Sequence, residues 1–196
     1  MPGRLTPGAL WRDRSPWAPS PGTVEQIVRD DDTQRQLQAE LVTRLAGIDF
    51  ARRYYEFYER HPLDGQRPAL GQAGYQAAID RLPMEFTYHR RERFFGTVEW
   101  HGETAVGLNV AFSESRVELI LTVQVGGVRF GGPFPLLARQ VAQLDNPAFT
   151  YEPRSPKLPF RDEAGLHEAV EFGAALFEDA RRAILGAPWP DPDAGR

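Results

Sequence analysis

Residues 84–132 read MEFTYHRRERFFGTVEWHGETAVGLNVAFSESRVELILTVQVGGVRFGG, and this stretch decides the fold class. Val106, Leu108, Val110 and Phe112 alternate with small or polar residues, and Val117, Leu119, Leu121, Val123 and Val125 repeat the pattern one strand later. Period two marks strands that bury one face. Upstream, Met84, Phe86 and Tyr88 alternate with Glu85, Thr87 and His89, and a second strand is expected from about Arg93 to Trp100. His101-Gly102, Ser113–Ser115 and Gly126-Gly127 supply the turns, since glycine accepts positive φ without steric penalty. The result is an antiparallel β-meander of four to five strands, closed by Gly131-Gly132-Pro133.

Helical patterns flank it on both sides. Leu37, Leu41, Leu45 and Ile48 share one helical face, with a break expected near Asp31–Thr33. Asp49 can cap a second segment, Phe50 to Arg60, which carries Phe50, Tyr54, Phe57 and Tyr58 and ends at His61-Pro62. Ala69 to Leu82 predicts a short helix. Pro135 to Leu144 predicts another, and Asp162 caps a long final one, Glu163 to about Leu185. Residues 145–160 are punctuated by Pro147, Pro153, Pro156 and Pro159 and read as a loop. The expected class is α+β: helices before and after one antiparallel sheet, with the long C-terminal helix packed on one face. Residues 1–20, with four prolines, form a flexible or surface-draped arm; 21–185 form one domain; 186–196 form a frayed tail.

Composition narrows the function classes. The 196 residues are 41% hydrophobic and 26% charged, with a net charge of −4. That balance lacks the positive field nucleic-acid binding requires. Of 23 basic residues only Lys157 is lysine, a bias that fits a GC-rich bacterial genome. With no cysteine, disulfides, thiolate metal sites and cysteine nucleophiles are excluded. No run of about 18 apolar residues offers a membrane span, and the N-terminus lacks a secretory apolar core, so a cytoplasmic location is expected.

Catalytic motifs are missing. The histidines His61, His89, His101 and His167 have no metal-binding spacing among them, and the glycine pairs fit neither phosphate-loop pattern. No cofactor and no metal are expected. His89, in the run His89-Arg90-Arg91-Glu92-Arg93, is the one candidate for proton transfer, beside an arginine cluster suited to anions. The simpler account is a solvated strand end and a charged turn.

Two functional readings follow. The first is a non-enzymatic protein-binding protein, the class that includes toxin-immunity proteins and effector chaperones. Its contact residues are Tyr55, expected exposed on its helix, the acidic Glu168, Glu171 and Glu178, which suit a basic partner, and Trp11 and Trp17 of the arm. The second is a small-molecule enzyme or ligand-binding domain. Its pocket would lie between the sheet and the 50–60 helix, lined by Tyr54, Tyr58, His89, Arg91 and Trp100, with Glu85 or Glu99 converging on His89. Homo-oligomerisation through an edge strand is compatible with both.

Overall fold

The computed structural model describes residues 24–61 and 70–190. The expected arm, with Trp11 and Trp17, lies outside the described residues. Elements run α1 (Val24–Ala46), α2 (Phe50–Arg60), α3 (Gln72–Ile79), β1 (Thr87–His89), β2 (Phe94–His101), β3 (Thr104–Ser113), β4 (Arg116–Val125), β5 (Val128–Pro133), α4 (Phe134–Asp145), β6 (Leu158–Pro159) and α5 (Glu163–Leu185). The class is α+β. Strands β1 to β5 pair antiparallel in chain order, and β6 pairs with the start of β4.

Hairpin chemistry sets the register. Gly102 takes φ +60° at the first of two loop residues, Gly102-Glu103, so that His101 faces Thr104. Gly126 and Gly127 both have positive φ and bring Val125 opposite Val128. Between β3 and β4 the hairpin closes with Ser113 opposite Arg116, and Val106, Leu108 and Val110 align with Val123, Leu121 and Leu119 on one face. All six are buried, and the helices supply the opposing layer of the same core: Leu37, Leu41, Leu45, Phe50, Leu137 and Leu176. Gly173 lets α5 approach closely, since a Cβ there would sit 2.4 Å from Leu119 Cδ1. Asp162 accepts a hydrogen bond from Gly165 N at 2.8 Å and starts α5 where the capping signal places it.

Several boundaries differ from expectation. α1 runs unbroken through Asp31–Thr33. Asp49 precedes α2 in a left-handed conformation without a side-chain cap, and its carboxylate pairs with Arg52 instead. β1 covers three residues only: Met84 and Phe86 pack against the core, as Tyr88 does, but lie outside the strand. β6 lies inside the proline-rich loop; Phe160 N donates to Ser115 O beside it. Residues 186–190, expected to fray, are held by Arg44. Its guanidinium donates to the carbonyls of Ile184, Ala187 and Pro188 at 2.7–2.9 Å and stacks 4.2 Å from the Trp189 ring centroid. No helix among the described residues is long and apolar enough to cross a membrane.

Candidate interaction site

Strand parity divides the sheet into two unlike faces. Odd-numbered β2 residues share the helical side, where Phe95 faces Val110 and is buried. Even-numbered residues point away: Phe94 faces Ala111, Gly96 faces Asn109, Val98 faces Gly107 and Trp100 faces Ala105. Apart from the small, buried Ala105, none of these outward residues belongs to the hydrophobic core. Val98 and Trp100 are 44% and 42% exposed, two of the three large hydrophobic side chains left open among the described residues. The third, Leu144, lies near the end of α4.

The backbone at the same place is also open. In antiparallel pairing a residue directs both its N–H and C=O to one neighbour, and successive residues alternate sides. Two-residue hairpin closure at His101–Thr104 commits odd β2 residues to β3. The even residues face the other way, and there Phe94 and Gly96 meet His89 and Thr87 of β1. Beyond Gly96 the β1 partner ends. Val98 and Trp100 therefore direct two N–H and two C=O groups off an edge that no strand among the described residues pairs with.

Charge completes the description. Glu99 Oε2 accepts from Arg181 Nη1 of α5 at 2.9 Å, and Glu99 Oε1 lies 2.5 Å from His101 Nε2. Arg181 also binds Glu178 at 2.9 Å, and these hydrogen bonds raise its pKa above the ordinary arginine value. Glu103 is exposed in the adjoining turn. Three carboxylates against one guanidinium leave this end of the sheet acidic.

The residues expected to form a pocket are not brought together. Tyr54 is buried in the core, and its hydroxyl donates to Pro156 O at 2.5 Å. Burial pushes its phenol well above the usual range. His89 lies on the outward face, where its ring stacks on Phe94 at 4.5 Å. Glu99 has helical-side parity, opposite Val106, so His89 and Glu99 point to different faces. Arg91 sits in the exposed β1–β2 turn, and Trp100 lies six residues along β2 from the partner of His89. Tyr58 packs edge-on against Tyr151. Glu85 is exposed on the segment before β1. His89 Nε2 and Asn109 Oδ1 both lie about 3 Å from where a Gly96 Cβ would be.

The expected partner surface changes as well. Tyr55 is 8% exposed, not open: Tyr151 stacks on it at 4.2 Å and Phe149 packs at 5.6 Å. Burial raises its pKa to about 12. The 146–160 loop folds back over α2, so both Tyr54 and its neighbour are covered. On α5, Glu168 pairs with His61 at 3.1 Å and Glu178 with Arg181, whereas Glu171 is exposed. Asp179 binds Arg53 at 2.8 Å and also Arg182, so much of the acidic surface of α5 is already matched by cations. Among the described residues no group of three or more His, Asp or Glu is placed to hold a metal ion.

Sequence reasoning did not single out Val98. The signal was present: Phe94, Val98 and Trp100 share the outward parity of β2 and only Phe95 turns inward, whereas most large apolar residues of β3 and β4 turn inward. Comparison with protein families, curated proteins and solved structures found no match to this chain.

Proposed function

We propose that this is a non-enzymatic protein-binding domain, acting in the cytoplasm of a GC-rich bacterium, that engages its partner at the open end of β2. The observation that carries this reading is the coincidence of exposed Val98 and Trp100 with unpaired backbone on the same two residues. Aromatic side chains anchor interfaces, and an open strand edge is a template for another chain. Toxin-immunity proteins and effector chaperones are members of this functional class. The pocket reading has less support, because His89 and Glu99 lie on opposite faces of the sheet.

Affinity capture from cells that express the protein tests the reading. Wild type should retain one stoichiometric partner, and Val98→Lys with Trp100→Lys should release it. Charge reversal at Glu168 and Glu171 should retain it. Loss of the partner only in the α5 variant, or a wild type that holds none, overturns the assignment to β2.

A further inference from the structure

We infer that the open edge of β2 accepts an extended basic segment of another protein as an added strand, with an apolar–cationic–apolar alternation. This rests on the protein-binding reading and adds its mode and chemistry.

The geometry dictates the alternation. A strand laid beside residues 97–101 pairs its backbone with the free groups of Val98 and Trp100, up to four hydrogen bonds in all. Incoming residues opposite Val98 and Trp100 project to the outward sheet face and meet those two side chains, so they are apolar. The residue between them lies opposite Glu99 and projects to the other face. There it meets Glu99, Glu178 and Arg181, with Glu103 and His101 adjoining. Three carboxylates outnumber the one guanidinium, so a lysine or arginine complements the position and an acidic residue opposes it.

The same position discriminates against a second copy of this chain. Among the described residues the open part of β2 is 97–101, so full overlap of two such edges in an antiparallel two-fold pair centres on Glu99. Val98 would then face Trp100 of the other copy, a compatible pair. Glu99, however, would face Glu99 directly, and like charges in that position oppose pairing. A heterologous basic strand meets no such repulsion.

Selection of a displayed random nonapeptide library against the full chain provides the test. Enriched peptides should carry lysine or arginine between two apolar residues. Methylating the backbone nitrogens that face the edge should weaken a selected peptide by about tenfold or more, because those donors are lost. Val98→Pro, which removes an N–H from an edge that tolerates proline, should do the same. Circular dichroism of that variant confirms that it folds. Glu99→Lys should shift the enriched central residue from basic to acidic.

Enrichment without alternation, indifference to N-methylation, or no enrichment overturns strand addition. Self-association of wild type that is abolished by Val98→Pro overturns the choice of a heterologous strand. If the captured partner is lost on Trp100→Lys yet retained on Val98→Pro, strand addition fails while the protein-binding reading stands.

Discussion

The two ends of this sheet handle the same physical problem in opposite ways. β5 and β2 each have one side without a full-length neighbouring strand, and each directs alternate backbone groups into that space. On β5 the groups that point outward belong to Arg129, Gly131 and Pro133, by the same alternation from the Val125–Val128 closure. Pro133 has no N–H to satisfy. Gly131 N donates to Gln38 Oε1 of α1 at 2.9 Å, and Gln38 Nε2 in turn donates to Gln140 of α4 at 2.9 Å. Trp189 then packs edge-on against Phe130 at 5.2 Å. On β2 the outward groups of Val98 and Trp100 find no strand, helix side chain or proline among the described residues. One edge is thus covered by Gln38, Pro133 and the Trp189–Phe130 contact, while the other is left open with apolar side chains among the described residues. Unprotected apolar edges invite aggregation.

The largest effect should come from breaking the sealed edge. Gly131 has φ +115°, and a Cβ there would lie 2.4 Å from Leu121 O, a backbone atom that cannot step aside. Gly131→Ala should lower the unfolding free energy by about 3–4 kcal/mol. Chemical denaturation measures it. A loss under about 1 kcal/mol would mean that β5 shifts freely, and the contrast with β2 would then weaken.

Gln38→Ala should cost less, about 1–2 kcal/mol, by leaving the Gly131 N–H without its acceptor. The local consequence is sharper than the global one: amide exchange at Gly131 should accelerate in this variant, while amides in the centre of β3 stay protected. In wild type, the Val98 and Trp100 amides should already exchange quickly, since no strand protects them. Slow exchange at Val98 in the isolated protein would show that the edge is covered.

Alkaline pH should act through two phenols, above about pH 10. Burial raises the Tyr55 and Tyr151 phenols from 10.0 to about 12, with Glu59 also raising Tyr151. A folded-state pKa above the unfolded one favours the protonated fold, so this stabilisation is complete below pH 10 and disappears as pH rises towards 12. Denaturation midpoints at pH 9 and pH 11 should therefore diverge in wild type and converge partly in Tyr55→Phe. Variants of Val98 and Trp100 should leave that pH dependence unchanged, because the open edge has no tyrosine.

What could be read from the sequence follows from how local each determinant is. β3 and β4 carry their own period, and α5 carries its own cap at Asp162, so both are legible to within a residue or so. Tyr55 is buried against the expectation from its helix because its cover comes from Phe149 and Tyr151, about a hundred residues away in a loop with no period to announce them. The anchored tail depends on Arg44, 140 residues before the Ile184 carbonyl it binds. β1 shows why alternation alone misleads. Met84 and Phe86 extend the strand pattern of Tyr88, yet they satisfy it by packing into the core without pairing their backbone. That departure is what opens β2. A reading that takes residues 84–89 as one strand therefore covers the edge at Val98 and hides the opening there, even though the outward parity of Val98 and Trp100 is legible.

The smallest expected effect is the most diagnostic. Val98→Lys and Trp100→Lys remove large apolar side chains from a sheet, a change that inside β3 or β4 would cost several kcal/mol through an emptied core and a buried charge. On the open half of β2 neither side chain belongs to the core cluster, and no described strand takes up their outward N–H and C=O groups. The double variant should therefore change stability by less than about 0.5 kcal/mol and improve solubility, as lysine does on natural edges. Equality of the two unfolding curves would establish that these residues contribute nothing to the fold. A loss above about 2 kcal/mol would show instead that Val98 and Trp100 are packed beneath another part of the chain, and the two ends of the sheet would then be alike.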